Sequence, residues 1–157
     1  MRLTEQVHLE LKRALRPGDT VIDATAGNGY DTLAMAQLVG HRGKVYAIDL
    51  QGTAITATRA RLEEAGQLAR CELIEGDHAD VLNALPGDHR ESVAAITFNL
   101  GYLPGGDRRM TTRPQTTLRA LDAAKCFVRP AGILLVTAYR GHAGGEEEAG
   151  QVETWMR

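Results

Sequence analysis

Four short polar clusters in the sequence have residue types suited to holding and orienting a ligand. Each cluster directly follows an apolar run, and such runs are typical of buried strands. The clusters are Asp23 with a glycine turn, Asp49 with Gln51, Asp77 with His78, and Asn99 with Tyr102. Because ligands of open α/β sheets bind beyond the carboxyl ends of the strands, we expect the four clusters to surround one site.

The glycine turn, Gly27-Asn28-Gly29, lies between an apolar strand and a helix that begins near Asp31. Such a turn presents backbone N–H groups at a helix start, and glycine allows close approach of a ligand. The dinucleotide-binding fingerprint requires a third glycine where this chain has Thr32, so the turn fits NAD poorly. It resembles D-x-x-x-G-x-G, the first motif of S-adenosylmethionine (SAM) methyltransferases. Asp23 would then hold either the turn or the ammonium group of the ligand.

Two further clusters indicate a nucleoside ligand. Asp49 ends the second apolar run, where a carboxylate accepts hydrogen bonds from both ribose hydroxyls in NAD and SAM proteins alike. Gln51 could add a contact to ribose or adenine, and the alternative for Asp49 is a solvated loop acid. After the third run, Asp77 could accept a hydrogen bond from the adenine 6-amino group. His78 beside it either packs on the base or caps the next helix.

The segment Asn99-Leu100-Gly101-Tyr102 indicates the chemistry of the reaction. Amino-group methyltransferases commonly carry N-P-P-Y or D-P-P-Y after the fourth strand. The side-chain oxygen and a backbone carbonyl accept from the target amine, and the aromatic ring stabilises developing positive charge. Here Asn and Tyr have that spacing, but Leu and Gly replace the prolines. The alternative is an Asx-turn with a surface tyrosine.

Strands and helices are predicted to alternate along the chain, which favours a doubly wound parallel α/β sheet. The predicted strands are Val21–Ile22, Val45–Ile48, Glu72–Ile74, Val93–Phe98 and Ile133–Tyr139. The predicted helices are Leu3–Leu15, Asp31–Val39, Ile55–Ala65, Ala79–Leu85 and Thr116–Val128. The last strand is an almost unbroken apolar run, which predicts cover on both of its faces.

Length and composition limit the class of protein. A chain of 157 residues predicts one domain, and the net charge of −2 argues against a surface generally suited to nucleic acid. A local basic patch remains compatible with that charge. The sequence has no long apolar run and no signal-peptide pattern, so we expect a cytoplasmic protein without a membrane partner. Cys71 and Cys126 form no C-x-x-C pair, and no metal site is expected.

Three longer segments resemble one small methyltransferase family. They are D-A-T-A-G-N-G-Y-D-T at 23–32, N-L-G-Y-L-P-G-G-D at 99–107 and G-H-A-G-G-E-E-E at 141–148. The chain is similar over nearly its whole length to the YtqB-like, or MnmM, family, long labelled rRNA methylases. The resemblance implies a Rossmann-like enzyme that uses SAM to methylate 5-aminomethyl-(2-thio)uridine at the tRNA wobble position. It also implies that Asn99 and Tyr102 form the transfer site. The residues implied to contact SAM are Asn28, Asp31, Asp49, Gln51, Asp77 and His78.

Two further sets of residues are candidates for acting on such a substrate. His142 lies in the glycine-rich loop after the fifth strand and is a candidate proton acceptor for the amine, the alternative being a structural or substrate-contact role. Arg108, Arg109 and Arg113, with Arg119 further along, could bind phosphates of an anticodon loop. Alternatively, these arginines lie on a solvated face and bind nothing.

The chain ends earlier than members of the family do. They continue beyond Arg157 into further strands, one antiparallel, so we expect a C-terminally truncated domain.

Other functions compete with this interpretation. They are methylation of another RNA, protein or small-molecule amine, NAD-dependent oxidation, and non-catalytic SAM or nucleoside sensing. The sequence leaves the oligomeric state open, with a homodimer as one possibility.

Overall fold

The computed structural model describes residues 1–101, 114–141 and 143–157. The strands are β1 Thr20–Asp23, β2 Lys44–Asp49, β3 Cys71–Glu75, β4 Val93–Leu100 and β5 Val128–Ala138. The helices are α1 Leu3–Ala14, α2 Tyr30–Val39, α3 Gly52–Glu64, α4 His78–Ala84, α5 Pro114–Ala124 and α6 Gly145–Met156. Short 3-10 helices cover Leu68–Arg70 and Gly87–His89. Within the described ranges, no helix is long and apolar enough to cross a bilayer.

The strands form one parallel sheet in the order β3-β2-β1-β4-β5, which confirms the predicted doubly wound architecture. From β1 the chain proceeds outward through β2 and β3, and it then returns to the other side of β1 as β4. The strand order therefore reverses between β1 and β4. In folds of this kind, that reversal opens a crevice at the carboxyl ends of the two strands.

Successive residues of the central strands point to opposite faces of the sheet and build two separate cores. Val21 belongs to the cluster that contains Leu11 of α1 and Met35 of α2. Its neighbour Ile22 belongs to the cluster that contains Phe98 of β4 and Leu121 of α5. Helices thus cover both faces of β1, which explains why that strand has almost no polar residue before Asp23.

The largest departure from the predicted elements is at the start of β5. The fifth strand was expected to begin at Ile133, but β5 already begins at Val128 and includes Pro130 and Gly132. Between the pairs Val93–Val128 and Ala95–Ile133, β4 advances by two residues and β5 by five. The proline and glycine therefore lie in a bulge within the strand pair, where Ala131 has a φ of +64°.

Two other expectations about elements were wrong. The fifth strand was expected to be covered on both faces, yet β5 is half-buried or exposed along its length because it lies at the edge of the described sheet. The third helix was expected from Ile55 but begins at Gly52, because Gln51 occupies the N-cap position. The extra turn brings the start of α3 directly to the end of β2.

Candidate functional site

The glycine turn after β1 is positioned by both neighbouring strands. The N–H of Ala24 donates to the Thr97 carbonyl of β4 at 2.9 Å, and the N–H of Ala26 donates to the Ile48 carbonyl of β2 at 2.8 Å. The chain therefore leaves the sheet at the point where the strand order reverses. This places the turn over the crevice that the topology predicts.

Gly29 must be glycine for two independent reasons. Its φ of +87° lies in the left-handed region, and a Cβ there would lie 2.9 Å from the Cα of Thr58. Gly27 also has a positive φ, of +59°. The turn therefore packs its backbone directly against the backbone of α3, with no room for a side chain between them.

Helix α3 also binds the carbonyl groups of the turn. The Thr58 hydroxyl donates to the Gly27 carbonyl at 3.1 Å, and Nε of Arg61 donates to the Asn28 carbonyl at 2.8 Å. The Arg61 guanidinium also lies 3.7 Å from the ring centroid of the exposed Tyr30. The conformation of the turn is thus set by protein contacts.

Asp23 is fully buried beneath the turn. Its carboxylate accepts from the hydroxyls of Thr32, at 2.7 Å, and Thr97, at 3.2 Å, and from the backbone N–H of Thr25, at 3.2 Å. Burial, and then the charge of Asp31, raise the pKa of Asp23 to about 7. Of the two roles expected for Asp23, these contacts support holding the turn.

Asp49, at the end of β2, is linked to the same turn. Its Oδ2 accepts from the N–H of Gly27 and its Oδ1 from the N–H of Gln51, each at 2.9 Å. A carboxylate oxygen can accept a second hydrogen bond, so both oxygens retain the capacity to bind a pair of hydroxyl groups. Gln51 is buried at the N-cap of α3.

Asp77 and His78 follow β3 and have different surroundings. Asp77 is the N-cap of α4, and its Oδ1 accepts from the N–H groups of Ala79 and Asp80 at 2.9 and 3.3 Å. The alternative that His78 caps the helix is wrong, because Asp77 occupies the N-cap position. Its ring is buried edge-on to Phe98, with centroids 5.5 Å apart, and burial lowers its pKa. His78 therefore remains neutral at physiological pH.

Asn99, at the end of β4, is held through both its backbone and its side chain. Its backbone N–H donates to the Thr25 hydroxyl at 2.6 Å, and its Nδ2 donates to Oδ2 of Asp31 at 2.7 Å. Because a carboxylate is only an acceptor, the NH₂ of the amide must face Asp31 and the Oδ1 must face away. Oδ1 of Asp31 lies 2.6 Å from Nε2 of His8, on α1.

The predicted residues are therefore brought together to different degrees. Hydrogen bonds join Asp49 to Gly27 and Asp31 to Asn99, whereas Asp23 and Asn99 each bind Thr25, two residues before the turn. Other predicted site residues, namely Tyr102, Arg108, Arg109, Arg113 and His142, lie outside the described residues. Arg119, the outlying member of the basic cluster, forms an exposed ion pair with Asp80 at 3.1 Å.

Sequence reasoning missed His8, Thr25 and Thr58. The two threonines hold Asn99 and the turn through contacts between residues distant in sequence, which no spacing reveals. His8 did carry a weak signal. It is a titratable side chain beside Val7 and Leu11, on the border of the apolar stripe of α1, where a polar group is brought close to the sheet.

Comparison with known proteins identifies the family. The family model described as "Putative rRNA methylase" matches residues 45–157. The chain belongs to this family. Residues 3–84 also match the model of Protein-L-isoaspartate(D-aspartate) O-methyltransferase, but that match ends before β4 and does not include Asn99.

Individual relatives agree with this assignment. A chloroplastic tRNA (mnm(5)s(2)U34)-methyltransferase of Arabidopsis thaliana is 41% identical over 98% of this chain, which spans 58% of that protein. The crystal structure of a "putative rRNA-methylase" from Clostridium thermocellum has a TM-score of 0.92 at 38% identity, over 99% of this chain and 82% of that one. A "putative methyltransferase" from Streptococcus mutans, solved in complex with SAH, has a TM-score of 0.85 at 32% identity, over 99% of this chain and 81% of that one.

Proposed function

We propose that this protein transfers a methyl group from SAM to an amine. The observation that carries the proposal is the orientation of Asn99. Its NH₂ is held by Asp31 and its backbone by Thr25, so the Oδ1 is a fixed acceptor next to the glycine turn. An acceptor fixed there can hold one N–H of an amine and so direct the nitrogen lone pair.

The residues around the turn fit SAM. The turn leads into the N-terminus of α2, where backbone N–H groups can bind a carboxylate such as that of SAM. The Asp49 carboxylate has one protein donor on each oxygen and can still accept from both hydroxyls of a ribose. Asp77 uses only Oδ1 in its helix-cap contacts, so its Oδ2 is available to an exocyclic amino group. When bound, SAM supplies an electrophilic methyl group on a positively charged sulfur.

The residues of this chain have to align a neutral amine and remove its proton. Transfer is an in-line displacement, so most of the rate enhancement comes from placing the nitrogen and methyl group in line. Asn99 and a following backbone carbonyl are proposed to accept from the amine, with the ring of Tyr102 against it. His142 is proposed to take the proton, because the ordinary pKa of histidine is near neutrality.

We propose tRNA as the substrate, with methylation of the aminomethyl group of 5-aminomethyl-(2-thio)uridine at the wobble position. The support is the Arabidopsis relative, whose name specifies that tRNA position and which matches 98% of this chain. An unpaired anticodon base is easily turned outward into a protein site. Arg108, Arg109 and Arg113 are proposed to contact the phosphates on either side.

The decisive assay uses the purified protein with labelled SAM and two tRNAs that differ only in the aminomethyl group at the wobble base. Methyl incorporation, identified by mass spectrometry of the nucleosides, is expected only for the tRNA that carries the amine. Incorporation into both tRNAs, or into neither, would refute the proposed substrate. In the second case, other RNA, protein and small-molecule amines become the candidates.

Asparagine substitutions test the role of Asn99 within the same assay. Asn99→Ala is expected to lower kcat by about 100- to 1,000-fold, as for loss of one acceptor or donor at a reacting group. The SAM dissociation constant is expected to change little. Asn83→Ala is the matched control, because Asn83 is exposed and its amide donates to the Ala79 carbonyl within α4. Equal losses of kcat and SAM affinity in Asn99→Ala would contradict the assigned role.

A further inference from the structure

Three side chains form a continuous hydrogen-bonded row from the N-terminal helix to the end of β4. Nε2 of His8 lies 2.6 Å from Oδ1 of Asp31, and Oδ2 of Asp31 lies 2.7 Å from Nδ2 of Asn99. His8 and Asp31 are 23 residues apart in sequence, and Asp31 and Asn99 are 68 residues apart. None of the sequence motifs contains all three residues.

The chemistry of the groups fixes the direction of each hydrogen bond. An ionised carboxylate only accepts, so both neighbours of Asp31 must donate to it. Nε2 of His8 therefore carries a proton, and Asn99 presents its NH₂. Both carboxylate oxygens are used, one by each neighbour, so the position of the Asn99 amide depends on a carboxylate that His8 holds from the other side.

Burial makes this arrangement more than a surface contact. The side chain of Asp31 is only 10% exposed, whereas that of His8 is 34% exposed. A buried carboxylate requires hydrogen-bond donors, and removing one of two leaves it free to rotate toward the other or toward water. The fully buried carboxyl group of Asp23 is close enough for the charge of Asp31 to raise its pKa. His8 thus donates to one of two carboxyl groups that interact with each other electrostatically.

We propose that His8 is a positioning residue for methyl transfer, acting through Asp31 to fix the amide of Asn99 so that its Oδ1 meets the incoming amine. This rests on the proposed function. His8 needs only an N–H at the Nε2 position for this role, and it neither contacts the amine nor takes its proton. A small loss of orientation at the reacting group costs far more in rate than in ligand affinity.

The test compares His8→Ala, His8→Gln and the exposed control His41→Ala in steady-state methylation, with SAM affinity measured by calorimetry. His8→Ala is expected to lower kcat by about 10- to 100-fold with an unchanged SAM dissociation constant. His8→Gln retains an N–H near the Nε2 position and is expected to recover kcat to within a few-fold of wild type. His41→Ala is expected to match wild type.

A second readout does not depend on activity. The side-chain NH₂ signals of Asn99, assigned by their loss in Asn99→Asp, are expected to shift in His8→Ala and to stay near their wild-type positions in His8→Gln. Unmoved signals in His8→Ala, a failure of glutamine to restore kcat, or parallel loss of kcat and SAM affinity would each overturn the proposal. Wild-type protein that methylates no amine would instead refute the proposed function, whatever the NMR signals show.

Discussion

Replacing Gly29 with alanine is expected to destabilise the protein more than replacing any helix-capping glycine that has open space around it. Two costs add at this position. A left-handed conformation costs an alanine about 1–2 kcal/mol. The added Cβ would also lie 2.9 Å from the Cα of Thr58, and forcing an extra carbon into packed backbone costs about 1–3 kcal/mol. We therefore expect a total loss of about 2–5 kcal/mol.

Gly144 is a matched control for this substitution. It is also an N-cap residue in the left-handed region, with a φ of +79° against +87° for Gly29, but a Cβ there would have no atom within 4 Å. Gly144→Ala should therefore show only the backbone cost, about 1–2 kcal/mol. The difference between the two variants isolates the contact between the turn and α3.

Urea unfolding followed by circular dichroism measures both variants. With a slope of about 2 kcal/mol per molar urea, the midpoint should fall by about 1–2.5 M for Gly29→Ala and by less than about 1 M for Gly144→Ala. Equal midpoints with unchanged slopes would mean that α3 moves away from the turn at no cost. Helix α3 would then not hold the turn in place.

Three further predictions concern the site. Asp49→Ala should raise the SAM dissociation constant about 10- to 100-fold in calorimetry, because the carboxylate no longer accepts hydrogen bonds from the two ribose hydroxyls. Unchanged affinity would contradict the ribose contact. Asp23 has a pKa near 7 in the folded protein and near 3.8 in the unfolded chain. Between about pH 4 and 7 the folded state therefore keeps a proton that the unfolded chain has lost, and the free energy of unfolding declines as pH rises through this range. Asp23→Asn should abolish that part of the decline in unfolding free energies measured across this range, and identical pH profiles would count against it. Reversing the charges of Arg108 and Arg109 should raise KM for tRNA and flatten the salt dependence of KM by about 0.7 in log–log slope per lost phosphate contact. Arg42→Glu is the control, because Arg42 is exposed just before the amino end of β2, at the edge of the sheet opposite the glycine turn, and it should leave the slope unchanged.

The doubly wound parallel sheet could be predicted because it follows from local pattern and a general rule of handedness. Short apolar runs alternate with amphipathic segments, and parallel crossovers wind in one direction, so few topologies remain. The same reasoning placed Asp23, Asp49, Asp77 and Asn99 at one edge of the sheet, since parallel strands all end there. The structure confirms the fold class, and the family comparison confirms the resemblance. The roles of the individual site residues remain predictions.

Contacts between residues distant in sequence could not be predicted. Nothing in the spacing of α1 indicates that His8 reaches Asp31, or that Thr58 meets the backbone of Gly29. Local signals also failed where the environment reversed their usual meaning. Pro130 and Gly132 ordinarily mark a turn, but an edge strand tolerates a proline at a bulge, so here they lie inside β5.

The bulge in β5 also determines which changes of length the gene can tolerate there. Three additional residues on β5 bring Thr137 opposite Asn99, whereas continuous pairing from Val128 would bring Leu134 there. Since side chains alternate faces with a period of two, this offset of three residues exchanges the sets of β5 side chains that face the two sides of the sheet. Because residues within a bulge are unpaired, the bulge can absorb a single-residue insertion or deletion while the pairing after Ile133 is kept.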